Sequence, residues 1–157
     1  MRHLTSVTAI FLSALLLLSG CRRKEPVPAE KEIDNAAIVR KAIADQLNKK
    51  PDELTTKDYE KTTELVLSGT AVSDLTPIKA LINLQWLSII GTAVSDLTPI
   101  KELNNLQILN LVGTQVSDLT PLKPLIWLET LYLSDTPVSN EQVAELRKAL
   151  PKLMIRR

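Results

Sequence analysis

Residues 69–78 read GTAVSDLTPI, residues 91–100 read GTAVSDLTPI again, and residues 113–122 read GTQVSDLTPL. The offset between successive blocks is constant, and a degenerate fourth copy, DTPVSNEQV, follows at 135–143, one more offset along. Composition does not generate near-identical blocks at a fixed offset. A period of this length means one structural unit stacked on copies of itself. The apolar positions outside the blocks keep the same period: Leu84, Leu106, Leu128 and Leu150; Leu65, Leu87, Leu109, Leu131 and Leu153; Leu67, Ile89, Leu111, Leu133 and Ile155.

Each unit has a physical reading. Two apolar residues separated by one point the same way from a short strand. Stacked units then place these strands in a parallel ladder, each burying its neighbour's Leu. Thr70, Thr92, Thr114 and Thr136 are expected to turn inward and bond backbone groups at the bend after the strand. Gly69, Gly91 and Gly113 relieve the backbone at that bend. Thr76-Pro77, Thr98-Pro99 and Thr120-Pro121 read as an N-cap followed by Pro at the first helical position, which starts a short helical turn on the opposite side. Leu81, Leu103 and Leu125 return the chain to the core. The fold expected is an α/β solenoid: a short horseshoe of parallel concave strands, short convex helical turns and helical end caps.

An open stack exposes apolar residues at both ends, so caps are required. Residues 33–47 (IDNAAIVRKAIADQL) read as an amphipathic helix with Ala36, Val39, Ile43 and Leu47 on one face. Thr55-Thr56-Lys57-Asp58 starts a second short helix with a capping box. Ser139-Asn140-Glu141-Gln142 is another such pattern, leading into a helix with Val143, Leu146 and Leu150 on one face and stopped by Pro151. Leu153 and Ile155 stay in phase with the strand pairs, which predicts a fifth strand over 152–156. Arg156 and Arg157 then charge the open edge against further pairing. The organisation expected is a helical cap over 33–61, repeats over 62–138, and a capping helix with a last strand over 139–157.

The stretch 1–32 is different. Met1-Arg2-His3 is a short basic start, Ile10–Leu18 is an apolar run broken only by Ser13, and Ser19-Gly20-Cys21 follows. This is the layout of a secretory signal, too short for an ordinary spanning helix, which needs about 20 apolar residues. Leu18-Ser19-Gly20-Cys21 resembles the bacterial lipobox. That resemblance implies removal of residues 1–20 and lipid on Cys21, the only Cys in the chain. The other reading is an ordinary signal or membrane helix with an incidental Cys. Residues 22–32 (RRKEPVPAEKE) are too charged and too poor in apolar groups to fold, so 21–32 reads as a lipidated Cys on a disordered tether. Arg22, Arg23 and Lys24 either touch anionic headgroups or are simply solvated. Arg at position 22, by resemblance to the sorting rules of two-membrane bacteria, favours the outer membrane if the organism has two.

Composition excludes several function classes. The only His is His3, inside the leader. Without His, a Cys pair or clustered Gly, the remaining chain builds no His-based triad, Cys/His zinc site or phosphate-cradling loop. Taking Arg2 away with the leader leaves 18 Lys and Arg against 18 Asp and Glu, so no basic surplus points to nucleic acid. Asp74, Asp96 and Asp118 form a row, but each coil supplies one carboxylate in an ordinary turn signature, so no metal is expected. No cofactor, small-molecule substrate or catalytic step is expected either. Glu64 is the only acid among the outward strand positions, and no carboxylate pair forms there.

Those outward positions carry the functional expectation. By phase they are Glu64, Val66 and Ser68; Trp86, Ser88 and Ile90; Ile108, Asn110 and Val112; Thr130, Tyr132 and Ser134; Lys152, Met154 and Arg156. Seven of the fifteen are apolar or aromatic, enough to read as one patch rather than as scattered residues. Trp86, Ile90, Ile108, Asn110, Val112 and Tyr132 are the candidate partner-binding residues, with Trp and Tyr the usual interface anchors. The competing reading is that β-branched and aromatic residues are simply good strand residues. Trp127 replaces the Asn found at the matching Asn83 and Asn105, and either packs at the solenoid edge or forms a second contact.

The spacing L-x-x-L-x-L-x-x-T-x-V, with Thr where Asn is usual, resembles that of leucine-rich repeats. Residues 33–157, including the cap AAIVRKAIADQL…LTTKDYEKTTELVLSGT, resemble the 22-residue repeats of the bacterial internalin-like family. The resemblance implies a curved solenoid used for protein recognition. It carries over no individual binding residue, because the motif is scaffold and recognition uses the variable positions. It carries no host-receptor role, since this chain has fewer repeats than the internalins. The function expected is a lipid-anchored, protein-binding module of the bacterial cell envelope. The alternative is a passive structural or assembly component of the envelope.

Overall fold

The computed structural model describes residues 33–157. The leader, Cys21 and the tether lie outside the described residues. Five short strands form one parallel sheet in chain order: β1 Glu64–Val66, β2 Trp86–Ser88, β3 Ile108–Asn110, β4 Thr130–Tyr132 and β5 Met154–Arg156. Glu64 pairs with Trp86, Trp86 with Ile108 and Ile108 with Thr130, so the register advances by one full repeat per strand. Leu65, Leu87, Leu109 and Leu131 stand side by side in this register and are wholly buried. Burying each stabilises the fold by roughly 1.5–3 kcal/mol.

The last step differs. Thr130 pairs with Met154 and Leu131 with Ile155, two positions more than the repeat period. The expected pairing of Leu131 with Leu153 is therefore corrected, and the strand starts at Met154 rather than at residue 152. The cause is the connection. The earlier coils cross the convex side in short 3-10 turns, Thr76–Ala80, Thr98–Ile100 and Thr120–Leu122. The last crosses in a longer helix, α3, Asn140–Ala149. The slip is even, so inward and outward faces are preserved. Lys152 leaves the strand face as a result.

The bend after each strand is built as the Thr spacing requires. The Oγ1 of Thr70, Thr92, Thr114 and Thr136 donates to the carbonyl three positions earlier, at 2.7, 2.8, 2.7 and 2.7 Å. Gly113 has φ +68, and a Cβ there would stand 3.6 Å from the Gly91 backbone in the coil below. The start of the convex turns is a correction. Thr76 is not the capping group; Asp74 Oδ1 accepts from Thr76 N at 2.8 Å, and Asp96 and Asp118 do the same for Thr98 and Thr120. An Asp two positions ahead closes an Asx-type turn before the Pro can start the helix.

Both ends are covered. Helix α1, Asn35–Gln46, is capped by Asp34, whose carboxylate accepts from Ala37 N at 2.8 Å. It buries Val39, Ile43 and Ala44, while Leu47 is half-buried and Ala36 is exposed. The apolar stripe is thus centred on Ile43 and does not include Ala36, because Asn35 fixes the rotation: its Oδ1 accepts from Ser73 N and Asp74 N at 2.9 and 3.2 Å. Helix α2, Thr56–Lys61, follows. At the other end α3 buries Val143 and Leu146. Ser139 Oγ accepts from Gln142 N, but Gln142 Oε1 reaches to Leu119 N at 3.0 Å instead of closing a box on Ser139. Arg157 donates to Asn140 and to the Val138 carbonyl, so it binds the start of α3 rather than serving only as an edge charge.

Candidate protein-binding face

Alternation along the strands sends Leu65, Leu87, Leu109 and Leu131 into the core and their neighbours outward. The register arranges the outward side chains in rows. One row runs Glu64, Trp86, Ile108, Thr130, Met154; the next runs Val66, Ser88, Asn110, Tyr132, Arg156. Ile90 and Val112 continue the face beyond the strands, where Gly91 N donates to the Val112 carbonyl at 2.8 Å.

Among the expected site residues, Trp86, Ile90 and Ile108 are exposed at 38%, 38% and 37%, while Asn110, Val112 and Tyr132 are half-buried. All six share one side of the sheet. Asn110 has a local task, since its Oδ1 accepts from Val112 N at 3.1 Å, which leaves its amide N–H groups as the part of the side chain not used by that turn. Val66 and Met154, at 52% and 51%, are more exposed than any of the six. Their alternation marked them as apolar outward residues; their place on the end strands, with one strand neighbour each, makes them the most open.

Ser88 behaves otherwise. It is buried at 4% exposure, and its Oγ lies 2.8 Å from that of Ser68. A small side chain in the middle of a face carrying Trp86, Val66 and Asn110 sits below its neighbours. Alternation specifies direction and not depth. The charged groups on these rows are Glu64 at β1 and Arg156 at β5, so the apolar centre has an acid at one end and a base at the other.

The Asp row is occupied by turn closure. The hydroxyl and amide of Thr98 hold Asp96 below the ordinary carboxylate range, and those of Thr120 do the same for Asp118. Among the described residues no group of three or more His, Cys, Asp or Glu is placed to hold a metal ion. Among them, too, no helix is long and apolar enough to cross a membrane.

A second apolar strip lies at the coil edge. Asn83 Nδ2 donates to the Glu60 carbonyl at 2.8 Å, and Asn105 Nδ2 donates to the Ile82 carbonyl at 2.9 Å, each tying a coil to the one before. Trp127 stands at the next position in this ladder and is 63% exposed, with Ile82 and Ile126 also exposed. It does not pack into the solenoid edge. The signal in the sequence for this strip was the placing of Ile82 and Ile126 two periods apart, each just ahead of the Asn or Trp position.

The parallel ladder, the inward Thr at each bend, the convex turns and the helical caps together define a short leucine-rich-repeat solenoid. No protein-family model matches the chain, and no curated protein sequence matches it. Solved bacterial leucine-rich-repeat structures do. An internalin (inlF) from Listeria monocytogenes superposes with a TM-score of 0.64 at 25% identity, over 76% of this chain and 35% of that one. A leucine-rich-repeat protein from Leptospira interrogans gives 0.57 at 32% identity, over 66% and 28%. An internalin C2 from Listeria monocytogenes gives 0.56 at 25% identity, over 75% and 62%. The chain thus spans less than two thirds of the length of each of these proteins.

Proposed function

We propose that this protein is a lipid-anchored, protein-binding module of the bacterial cell envelope, which recognises a protein partner through the strand face of its solenoid. One observation carries the binding half of this reading. Val66, Trp86, Ile90, Ile108 and Met154 are 37–52% exposed on the same side of a sheet whose other side is buried. Trp86 and Ile108 are direct cross-strand neighbours, exposed apolar surface of this kind marks an interaction site, and Trp and Tyr on this face are the residue types that anchor interfaces. The likeness to bacterial leucine-rich-repeat structures supports the same reading. No catalytic step, cofactor or small-molecule substrate enters it.

The anchoring half rests on the sequence. Cys21 follows an apolar run and small residues in the lipobox arrangement, and acyl chains contribute roughly 0.8 kcal/mol per buried methylene. Arg22 after the Cys favours an outer-membrane location in a two-membrane organism.

A photo-crosslinking amino acid at position 86, used in living cells and followed by mass spectrometry, tests the binding half. A discrete crosslinked protein is expected, and loss of that product in Tyr132→Ala at unchanged thermal stability. A folded, crosslinker-bearing chain that captures no discrete partner overturns it in favour of a passive structural component. Incorporation of labelled palmitate, abolished by Cys21→Ser, tests the anchor.

A further inference from the structure

Between adjacent strands the backbone of this face is paired, and among the described strands only the outer edges of β1 and β5 lack a strand partner. Leu67 N donates to the Ser88 carbonyl, Ile89 N to that of Asn110, Leu111 N to that of Tyr132, and Leu133 N to that of Arg156. These bonds run sideways between strands, so no backbone group points out of the face. The side chains offer few free polar groups, chiefly the Asn110 amide N–H groups and the Thr130 and Tyr132 hydroxyls. The Ser68 and Ser88 hydroxyls bond each other, and Asn110 Oδ1 is held by Val112 N. An extended segment laid on this surface would leave most of its own N–H and C=O groups against apolar side chains without partners. A helix brings its backbone bonds with it.

The charges orient it. Glu64 and Arg156 stand on the first and last strands, four strand spacings apart, about 19 Å at about 4.8 Å each. Neither takes part in a salt bridge among the described residues. A helix of about 13 residues covers that span at about 1.5 Å per residue. Helices favour acids in the first turn and bases in the last, because of the peptide dipoles. Such a helix matches this face in one direction only.

We propose that the occupant of the strand face is an amphipathic helix between three and four turns long, lying across the strands. Its acidic N-terminal turn lies over Arg156, its basic C-terminal turn over Glu64, and its apolar stripe on Trp86, Ile108 and Tyr132. This rests on the protein-binding reading and names the partner's chemistry. A second copy of the chain, which could set its own Arg156 against Glu64, is the competing occupant.

The test uses the full chain in detergent micelles, labelled with a fluorophore, against two displayed peptide libraries. One holds amphipathic helices of four turns with a fixed apolar stripe and randomised charge in the first and last turns. The other holds linear Pro-rich peptides that form no helix. The helical library is expected to enrich the acid-first, base-last order at least about tenfold over the reverse. The double variant E64R/R156E is expected to enrich the reverse order, and W86A to lose binding to both. Enrichment without charge order overturns the proposal, as does preferential capture of Pro-rich peptides or no capture from either library. A dimer of the free chain, seen by light scattering and dissolved by E64R, also overturns it by giving the face to a second copy. None of these results decides whether a protein is crosslinked from position 86 in cells, so the broader reading stands or falls separately.

Discussion

Lys49 Nζ lies 2.6 Å from Asp58 Oδ1, and the other carboxylate oxygen of Asp58 accepts from Thr55 N at 2.8 Å and Thr55 Oγ1 at 2.7 Å. One side chain thus holds the end of α1 and the start of α2 together. The Lys49 hydrogen bond, then those of Thr55, keep this carboxyl far below the ordinary carboxylate range. A group with a depressed folded pKa stabilises the fold fully above its unfolded value, about 3.9, and that contribution fades as pH falls toward the folded value. Asp58→Asn is expected to lower the melting temperature by a few degrees at pH 7. The gap from the parent should narrow below about pH 4. Melts recorded at pH 7, 4 and 2.5 check this, and a gap independent of pH contradicts the assignment.

Leu109 and Ile108 are neighbours with opposite fates, one wholly buried and the other 37% exposed on the strand face. Leu109→Ala is expected to cost about 2–5 kcal/mol, the range for a cavity in a packed core. Ile108→Ala should cost less, about 1–2 kcal/mol, because only part of its area is buried. Urea unfolding of the pair measures both.

The Thr114 hydroxyl is wholly buried and donates to the Leu111 carbonyl. Thr114→Val keeps the shape and removes the donor. A loss of about 1 kcal/mol is expected, the usual net worth of one such bond, and chemical denaturation reads it directly.

Asp135 has φ +57 at the position where the three preceding coils carry glycine. A left-handed residue with a Cβ costs roughly 1 kcal/mol relative to one without. Asp135→Gly is therefore expected to raise stability by about 0.5–1 kcal/mol once the greater freedom of an unfolded glycine is offset. An unchanged or lower midpoint in urea would show that the aspartate is better accommodated than its neighbours imply.

Much of this architecture was legible because it repeats. A constant offset carried by Leu, Thr and Gly at fixed places leaves one way to stack the chain. The last register was not legible for the same reason. Leu153 and Ile155 keep the period, yet α3 takes up more chain than a 3-10 turn, and Ile155 rather than Leu153 pairs with Leu131. Likewise Thr76 looked like a cap, but Asp74 two positions earlier has the stronger acceptor and the geometry to use it. On the strand face, direction was readable and depth was not. Trp86 and Ile108 stand out from the sheet, whereas Ser88, on the same side, disappears beneath them. Asn110 looked like a binding group, and half of its amide is committed to Val112. These outcomes depend on the sizes and bonds of neighbours one coil away.

The even step between coils has a consequence for how this chain can change length. Gly91 and Gly113 share nearly the same backbone angle, φ +64 and +68. Excising 91–112 would join Ile90 to a glycine already shaped to follow it, and duplicating that stretch would add a strand without altering what either end helix rests on. The reach of the open surface is therefore set by how many times one cassette is copied, so evolution or an engineer can lengthen it by recombination alone.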